Sequence, residues 1–126
     1  MIKIGINGFG RIGKSVFLQA IKNPLFNVMA LNIPDFNIKN LPSYLLNDSS
    51  HKYDMESYMY INNDNNSLII NNKDIHLLNQ RNANKLDWRK HNVDYLIETS
   101  GKFLTIDKAK QHDVDYFIAC APSKDN

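Results

Sequence analysis

Apolar and polar positions along this chain change period at definite points. Ile2, Ile4 and Ile6 alternate with small or polar residues, a period of two that predicts a strand. From Arg11 the spacing becomes helical: Ile12, Val16 and Ala20 predict a helix over about Arg11 to Lys22, which Asn23-Pro24 ends. Phe26 to Leu31, with Val28, Ala30 and Leu31 apolar, predicts a second strand, and Asn32-Ile33-Pro34-Asp35 a turn. Ile38, Leu41, Leu45 and Leu46 predict a short helix, with Pro42 tolerable only near its first turn. Asp48-Ser49-Ser50-His51 reads as a loop.

The texture then shifts. Ser57 to Ile61, Ser67 to Ile70 and Asp74 to Leu78 are short β-rich runs separated by Asn-rich turns, predicting an antiparallel meander between about Tyr58 and Leu78. Asn71-Asn72-Lys73-Asp74 suits a hairpin turn, because asparagine tolerates positive φ. A short helical turn around Trp88 is expected within Asn84 to Asn92, then a strand over Val93 to Glu98, a helix over Thr105 to His112 and a last strand over Tyr116 to Ala119, with Pro122 ending regular structure. Strands alternating with helices predict an α/β fold: a Rossmann-type doubly wound parallel sheet with an inserted antiparallel β-meander.

The junction of the first strand and helix carries candidate chemistry. Gly8-Phe9-Gly10-Arg11-Ile12-Gly13 is a Gly-x-Gly-x-x-Gly pattern in the strand-turn-helix context that makes it a dinucleotide loop. Gly8 allows the tight turn, Gly10 lets a pyrophosphate approach the backbone, and Gly13 permits close packing of helix on strand. The helix N-terminus adds unpaired N–H groups and partial positive charge.

Composition narrows the class. A length of 126 residues predicts one domain over 1–126. A net charge of +2, without a basic run, offers no electrostatic case for nucleic acid. No apolar run approaches the length of a membrane span, and a strand beginning at residue 2 leaves no room for a leader, so a cytoplasmic location is expected. One cysteine, Cys120, excludes an internal disulfide and a Cys-based zinc cluster. Eighteen residues are asparagine and read as polar turn residues, since apolar strands interrupt their clusters. His51, His76, His91 and His112 share no metal-ligand spacing and read as surface or packing residues. Asp48, Glu56 and Glu98 do not pair as a carboxylate dyad; Glu98, at a strand end, is expected to bond a loop N–H. Tyr44, Tyr53, Tyr58, Tyr60 and Trp88 read as core or sheet-face residues.

Lys3 to Gly13 resembles the opening signature of the phosphorylating glyceraldehyde-3-phosphate dehydrogenases, in their NAD-binding half. Further similarities follow in order: Asp48-Ser49-Ser50-His51, the Leu68 to Leu78 hairpin, Gln80-Arg81-Asn82, Trp88, Glu98-Thr99-Ser100-Gly101 with Lys102-Phe103, and Ala121-Pro122-Ser123-Lys124-Asp125. The resemblance implies that Asn7, Gly8, Phe9, Gly10, Arg11, Ile12 and Gly13 form the pyrophosphate loop, with Arg11 and Ile12 donating backbone N–H groups. It places Asn32 beside the adenosine, Arg81 by the adenine, Ser100, Gly101 and Phe103 along the cofactor cleft, and Cys120, where the family usually has serine, near the nicotinamide end.

Departures are equally informative. Ile33 stands where the family has an aspartate that accepts hydrogen bonds from the adenosine ribose. Weak NAD binding, with NADP not excluded, is therefore expected, together with tightening by Ile33→Asp; Asp35 is an alternative acceptor. The family's nucleophilic cysteine and base histidine match no residue here. Cys120, aligned with a serine, is expected to be a small buried strand residue. No catalytic residue and no metal ligand is assigned. Three readings stay open: a dinucleotide-binding module, an aldehyde dehydrogenase needing residues past Asn126, and an interaction domain that joins a homo- or hetero-oligomer with a dehydrogenase subunit.

Overall fold

A computed structural model describes residues 1–46, 59–102 and 105–120 of the chain. Seven strands form one sheet: β1 (Ile2–Asn7), β2 (Phe26–Asn32), β3 (Met59–Asn62), β4 (Ser67–Ile70), β5 (Lys73–Leu78), β6 (Tyr95–Glu98) and β7 (Tyr116–Ala119). Their spatial order is β3-β4-β5-β2-β1-β6-β7. β5, β2, β1, β6 and β7 run parallel, β4 pairs antiparallel with β5, and β3 pairs antiparallel with β4. The sheet is thus the expected Rossmann-type one, and the meander belongs to it: β5 closes the hairpin and also continues the parallel array.

Helix α1 (Arg11–Lys22) has the expected bounds. Pro42 falls in the first turn of α2 (Leu41–Leu46), which a 3₁₀ turn at Ile38–Asn40 precedes, so the missing N–H costs no helical bond. The expected eight-residue helix from Thr105 is shorter: α3 is Ile106–Ala109, capped by the Thr105 side chain accepting from the Lys108 N–H. Around Trp88 the chain makes two 3₁₀ turns, Ala83–Lys85 and Arg89–His91. Asn71 and Asn72 both have positive φ, 50° and 66°, the pair of left-handed residues that a two-residue hairpin turn requires. Asn66 and Asn92 adopt the same region, which gives the asparagine-rich composition its structural use.

Two apolar layers flank the sheet. One gathers Ile4, Ile6, Phe9, Phe17, Leu18, Val28, Leu31 and Ile33 with Leu41, Leu45, Leu68 and Ile75, beneath α1 and α2. The other gathers Ala30, Leu86, Trp88, Val93 and Leu96, with Phe117 and Val114 against them. An irregularity between Ile4 and Gly5 leaves Met29 as an extra residue on β2, so Val28 and Leu31, three apart, reach the same layer. Trp88 lies across Gly5, where a Cβ would come within 3.0 Å of the indole.

The register aligns the strand ends. Leu78 pairs with Asn32, Asn32 with Asn7, Asn7 with Glu98, and Glu98 with Ala119. The carboxyl ends of the five parallel strands therefore share one edge. The strand order reverses at β1, the place where open α/β sheets hold ligands.

Candidate functional site

The glycine loop sits at that reversal. Gly8 has φ +93°, and a Cβ there would meet the Ser100 backbone nitrogen at 2.8 Å. Gly13 is tighter, since a Cβ would stand 2.4 Å from the Gly8 carbonyl oxygen and 2.8 Å from Thr99 Oγ1. A Cβ on Gly10 would meet nothing within 4 Å, so its open face is available to a ligand. Gly10 is also the N-cap residue of α1, and its side supplies no capping group. The helix's first N–H groups, those of Arg11, Ile12 and Gly13, thus begin where the open face lies. Arg11 is exposed, and so is Ile12. Phe9 points the other way. It is buried and packs edge-on against Phe17 and Tyr44, so it anchors the loop to the core. Lys14 braces the same region, its Nζ donating to the Tyr44 carbonyl at 2.6 Å and lying 4.3 Å from the ring centroid.

A buried polar chain joins the strand ends behind this loop. Asn7 Nδ2 donates to Glu98 Oε2 at 2.7 Å, and Asn32 Nδ2 donates to Asn7 Oδ1 at 2.7 Å and to the Gln80 carbonyl at 2.8 Å. The Gln80 N–H returns a bond to Asn32 Oδ1 at 2.9 Å. Glu98 Oε1 accepts from the Ser100 N–H at 2.5 Å and from the Ser100 hydroxyl. That is the loop-N–H role expected of Glu98, extended to two further partners. Thr99 Oγ1 donates toward the Asn7 and Gly8 carbonyls, each at 3.0 Å, and fills the space beside Gly13. Asn7, Asn32 and Glu98 are each at most 3% exposed, and every polar atom left unpaired there would cost about 1–3 kcal/mol. The loops after β1, β2, β5 and β6 are therefore held as one unit. Thr99 and Gln80, quoted in the sequence only as parts of family-like stretches, gain their roles here, and Asn79, which bonds the Asp35 N–H and the Phe36 carbonyl, was not singled out at all. The signal for Asn79 was its place directly after a predicted strand.

Asn32 is placed at the expected strand end, but its side chain is spent in the polar chain. Ile33 is 1% exposed and belongs to the apolar layer, so it does not line the edge. An aspartate there would bury a carboxylate among apolar groups, which removes the basis for expecting Ile33→Asp to tighten a ribose contact. Asp35 instead reaches the rim. Its backbone is left-handed, φ 63°, and its carboxylate takes the Arg81 guanidinium in a fork, with Nε at 3.0 and 2.8 Å and Nη2 at 2.7 Å. Asp35 also pushes the pKa of Arg81 further up, through hydrogen bonding and charge. Ser100 is half-buried and Gly101 exposed with φ +77°, both at the head of β6. Phe103, the Asp48-Ser49-Ser50-His51 loop and the Ala121 to Asp125 segment lie outside the described residues.

Cys120 corrects an expectation. It is exposed, directly beyond the edge strand β7, rather than buried in a strand. Partial burial of the thiol, with the nearby Glu98 charge, still raises its pKa. His112 packs as expected, stacked on Phe117, with the Trp88 indole N–H donating to its Nδ1 at 3.0 Å. Burial pushes His112 down to about 4. His76 and His91 face each other at 4.5 Å, and burial, then the neighbouring His76, lowers His91. No group of three or more potential metal ligands occurs among the described residues. No helix among them is long and apolar enough to cross a membrane.

Comparison with known proteins agrees with this geometry. The family described as "Glyceraldehyde 3-phosphate dehydrogenase, NAD binding domain" matches residues 2–106. The glyceraldehyde-3-phosphate dehydrogenase of Colletotrichum lindemuthianum is 39% identical over 98% of this chain and 37% of its own length. That of Phytophthora infestans is 34% identical over the same shares, and glyceraldehyde-3-phosphate dehydrogenase 2 of Bacillus subtilis is 38% identical over 88% of the chain and 32% of its own length. The chain thus spans little more than a third of these relatives. Sequence, sheet order and glycine-loop geometry agree, and the chain belongs to the family of glyceraldehyde-3-phosphate dehydrogenase NAD-binding domains.

Proposed function

We propose that this chain binds NAD across the carboxyl edge of its sheet and does not oxidise an aldehyde by itself. The observation that carries the reading is the open face of Gly10 at the N-terminus of α1, between two glycines that no side chain could replace. A pyrophosphate fits there, against the N–H groups of Arg11 and Ile12 and the positive end of the helix. Ser100 and Gly101 would line the nicotinamide half of the cleft, with Cys120 beyond them. NAD, when bound, supplies a hydride acceptor. The chain's own part is to orient it: the Asn7–Glu98–Ser100 bonds hold the two loops on either side of the dinucleotide in one arrangement.

Aldehyde oxidation in this family needs a thiolate nucleophile and a base to activate it. Cys120 has a raised pKa, which opposes thiolate formation. A second reading, association with a dehydrogenase subunit, draws on the exposed Tyr116 and Ile118 of edge strand β7.

Calorimetric titration of NAD into the chain and into Gly10→Val tests the first reading. Saturable binding by the wild type and loss of it in a folded Gly10→Val are expected. Equal binding by both would refute the reading. Light scattering with a full-length dehydrogenase added tests the second.

A further inference from the structure

We infer that the Asp35–Arg81 pair decides which nicotinamide dinucleotide this chain accepts: Asp35 takes the adenosine ribose hydroxyls, and Arg81 is the cation available to a 2′-phosphate. The inference rests on the dinucleotide reading above and deepens it.

Position comes first. A doubly wound dinucleotide site places an acidic group about twenty residues past the third glycine, at the end of the second strand, where it meets the ribose 2′-hydroxyl; an arginine nearby serves the 2′-phosphate instead. The first residue after β2, Ile33, is locked in the core and cannot serve. Asp35, two residues on, is the carboxylate of that turn, and the turn leaves the same edge as the glycine loop, since Asn7 pairs with Asn32. Arg81 arrives from the next loop, after β5, whose Leu78 pairs with Asn32.

Construction comes second. The Asp35 N–H donates to Asn79 Oδ1 at 3.0 Å, and Asn79 Nδ2 donates to the Phe36 carbonyl at 3.0 Å. That clamp holds Asp35 in its left-handed conformation, a region that non-glycine residues enter infrequently. Arg81 and Asp35 are 72% and 57% exposed, so their ion pair adds little to stability. Two side chains, Asn79 and Arg81, nevertheless fix the turn and the direction of its carboxylate. The guanidinium fork occupies one side of it, and its exposed side can accept two hydroxyl donors.

Charge supplies the rest. A carboxylate at the ribose repels a 2′-phosphate, while Arg81 at 2.7 Å offsets that repulsion and offers a bidentate phosphate contact once released. Removing Asp35 therefore moves the two dinucleotides in opposite directions, whereas removing Arg81 costs NADP alone.

The experiment titrates NAD and NADP separately into the full 126-residue chain, into Asp35→Asn and into Arg81→Gln, with a urea midpoint for each. Asp35→Asn should weaken NAD roughly ten- to a hundredfold, the effect of losing hydrogen bonds to a charged acceptor, and should tighten NADP. Arg81→Gln should weaken NADP and spare NAD. The NADP gain in Asp35→Asn should shrink as salt rises, because exposed charges are screened. If the wild type binds NAD and the NAD-to-NADP ratio is the same in both folded variants, the pair does not select the cofactor and the dinucleotide reading stands. Should Asp35→Asn fail to fold, the ratio in Arg81→Gln decides alone. If the wild type binds neither dinucleotide, the reading and this inference both fall.

Discussion

Acidification should destabilise this protein through one histidine. His112 is buried with its Nδ1 accepting the Trp88 indole N–H, and indole can only donate. The neutral ring therefore carries its proton on Nε2, which lies 3.9 Å from Glu98 Oε2, beyond hydrogen-bond length. Protonation would set a second N–H against the indole N–H. Burial lowers the folded-state pKa from 6.5 to about 4. The sign follows from linkage. The unfolded chain takes up this proton below about pH 6.5 and the folded chain only near pH 4, so stability falls as pH drops through that window. At pH 5 the loss relative to pH 7.5 is about 2 kcal/mol, from 1.36 kcal/mol per pKa unit. That is a large share of a typical domain's stability.

Urea unfolding, followed by the fluorescence of Trp88, the single tryptophan, measures it directly in wild type and in His112→Gln. The glutamine oxygen can still accept the indole N–H, while the stacking on Phe117 is lost. The variant should be less stable at pH 7.5, and the gap should narrow by about 2 kcal/mol at pH 5. The other ionisable groups are common to both proteins, so the difference between the two isolates His112. A gap that is unchanged between the two pH values refutes the reasoning. A gap that widens on acidification would mean that the Glu98 charge outweighs burial and that His112 is protonated in the fold.

The glycine loop gives a paired contrast. Gly13→Ala forces a Cβ against the Gly8 carbonyl oxygen and should cost about 2 kcal/mol or more by urea unfolding, whereas Gly10→Ala, facing open space, should stay within about 0.5 kcal/mol of wild type. Equal losses would show that the helix can shift away from the strand. Cys120, with its raised pKa, should react with iodoacetamide more slowly at pH 8 than a cysteine in an unstructured peptide, and Glu98→Gln should speed it; a faster reaction than the peptide's would contradict the burial and charge assigned to that thiol.

Much of the fold is legible along the chain because periodicity and turn chemistry are local. The switch from period two to helical spacing at Arg11 places α1 at its observed bounds. The Ser67–Ile70 and Tyr116–Ala119 strands coincide with their apolar runs. Asn71-Asn72 encodes its own turn, since asparagine tolerates the left-handed φ that few residues share. The roles of Gly8 and Gly13 follow from the motif, because each glycine answers a steric demand set within a few residues or by the adjacent strand.

Residues distant in sequence become neighbours only through the sheet register. Asn7 meets Glu98 across 91 positions, and Asn32 meets Gln80 across 48, because β1 lies between β2 and β6 and the strand ends align. Nothing local marks these four as one network. The same register decides burial. Ile33 follows a strand whose extra residue, Met29, resets which side faces the core, and the side chain turns inward. Cys120 follows an edge strand and stays exposed, although its apolar run reads like a buried one. His112 shows the converse, a polar residue in a turn-like stretch that packing against Trp88 and Phe117 draws inside. Hydrophobic spacing thus determines the elements and the glycine loop. Only the tertiary pairing decides which strand-end side chains face the cofactor edge and which are spent holding it together.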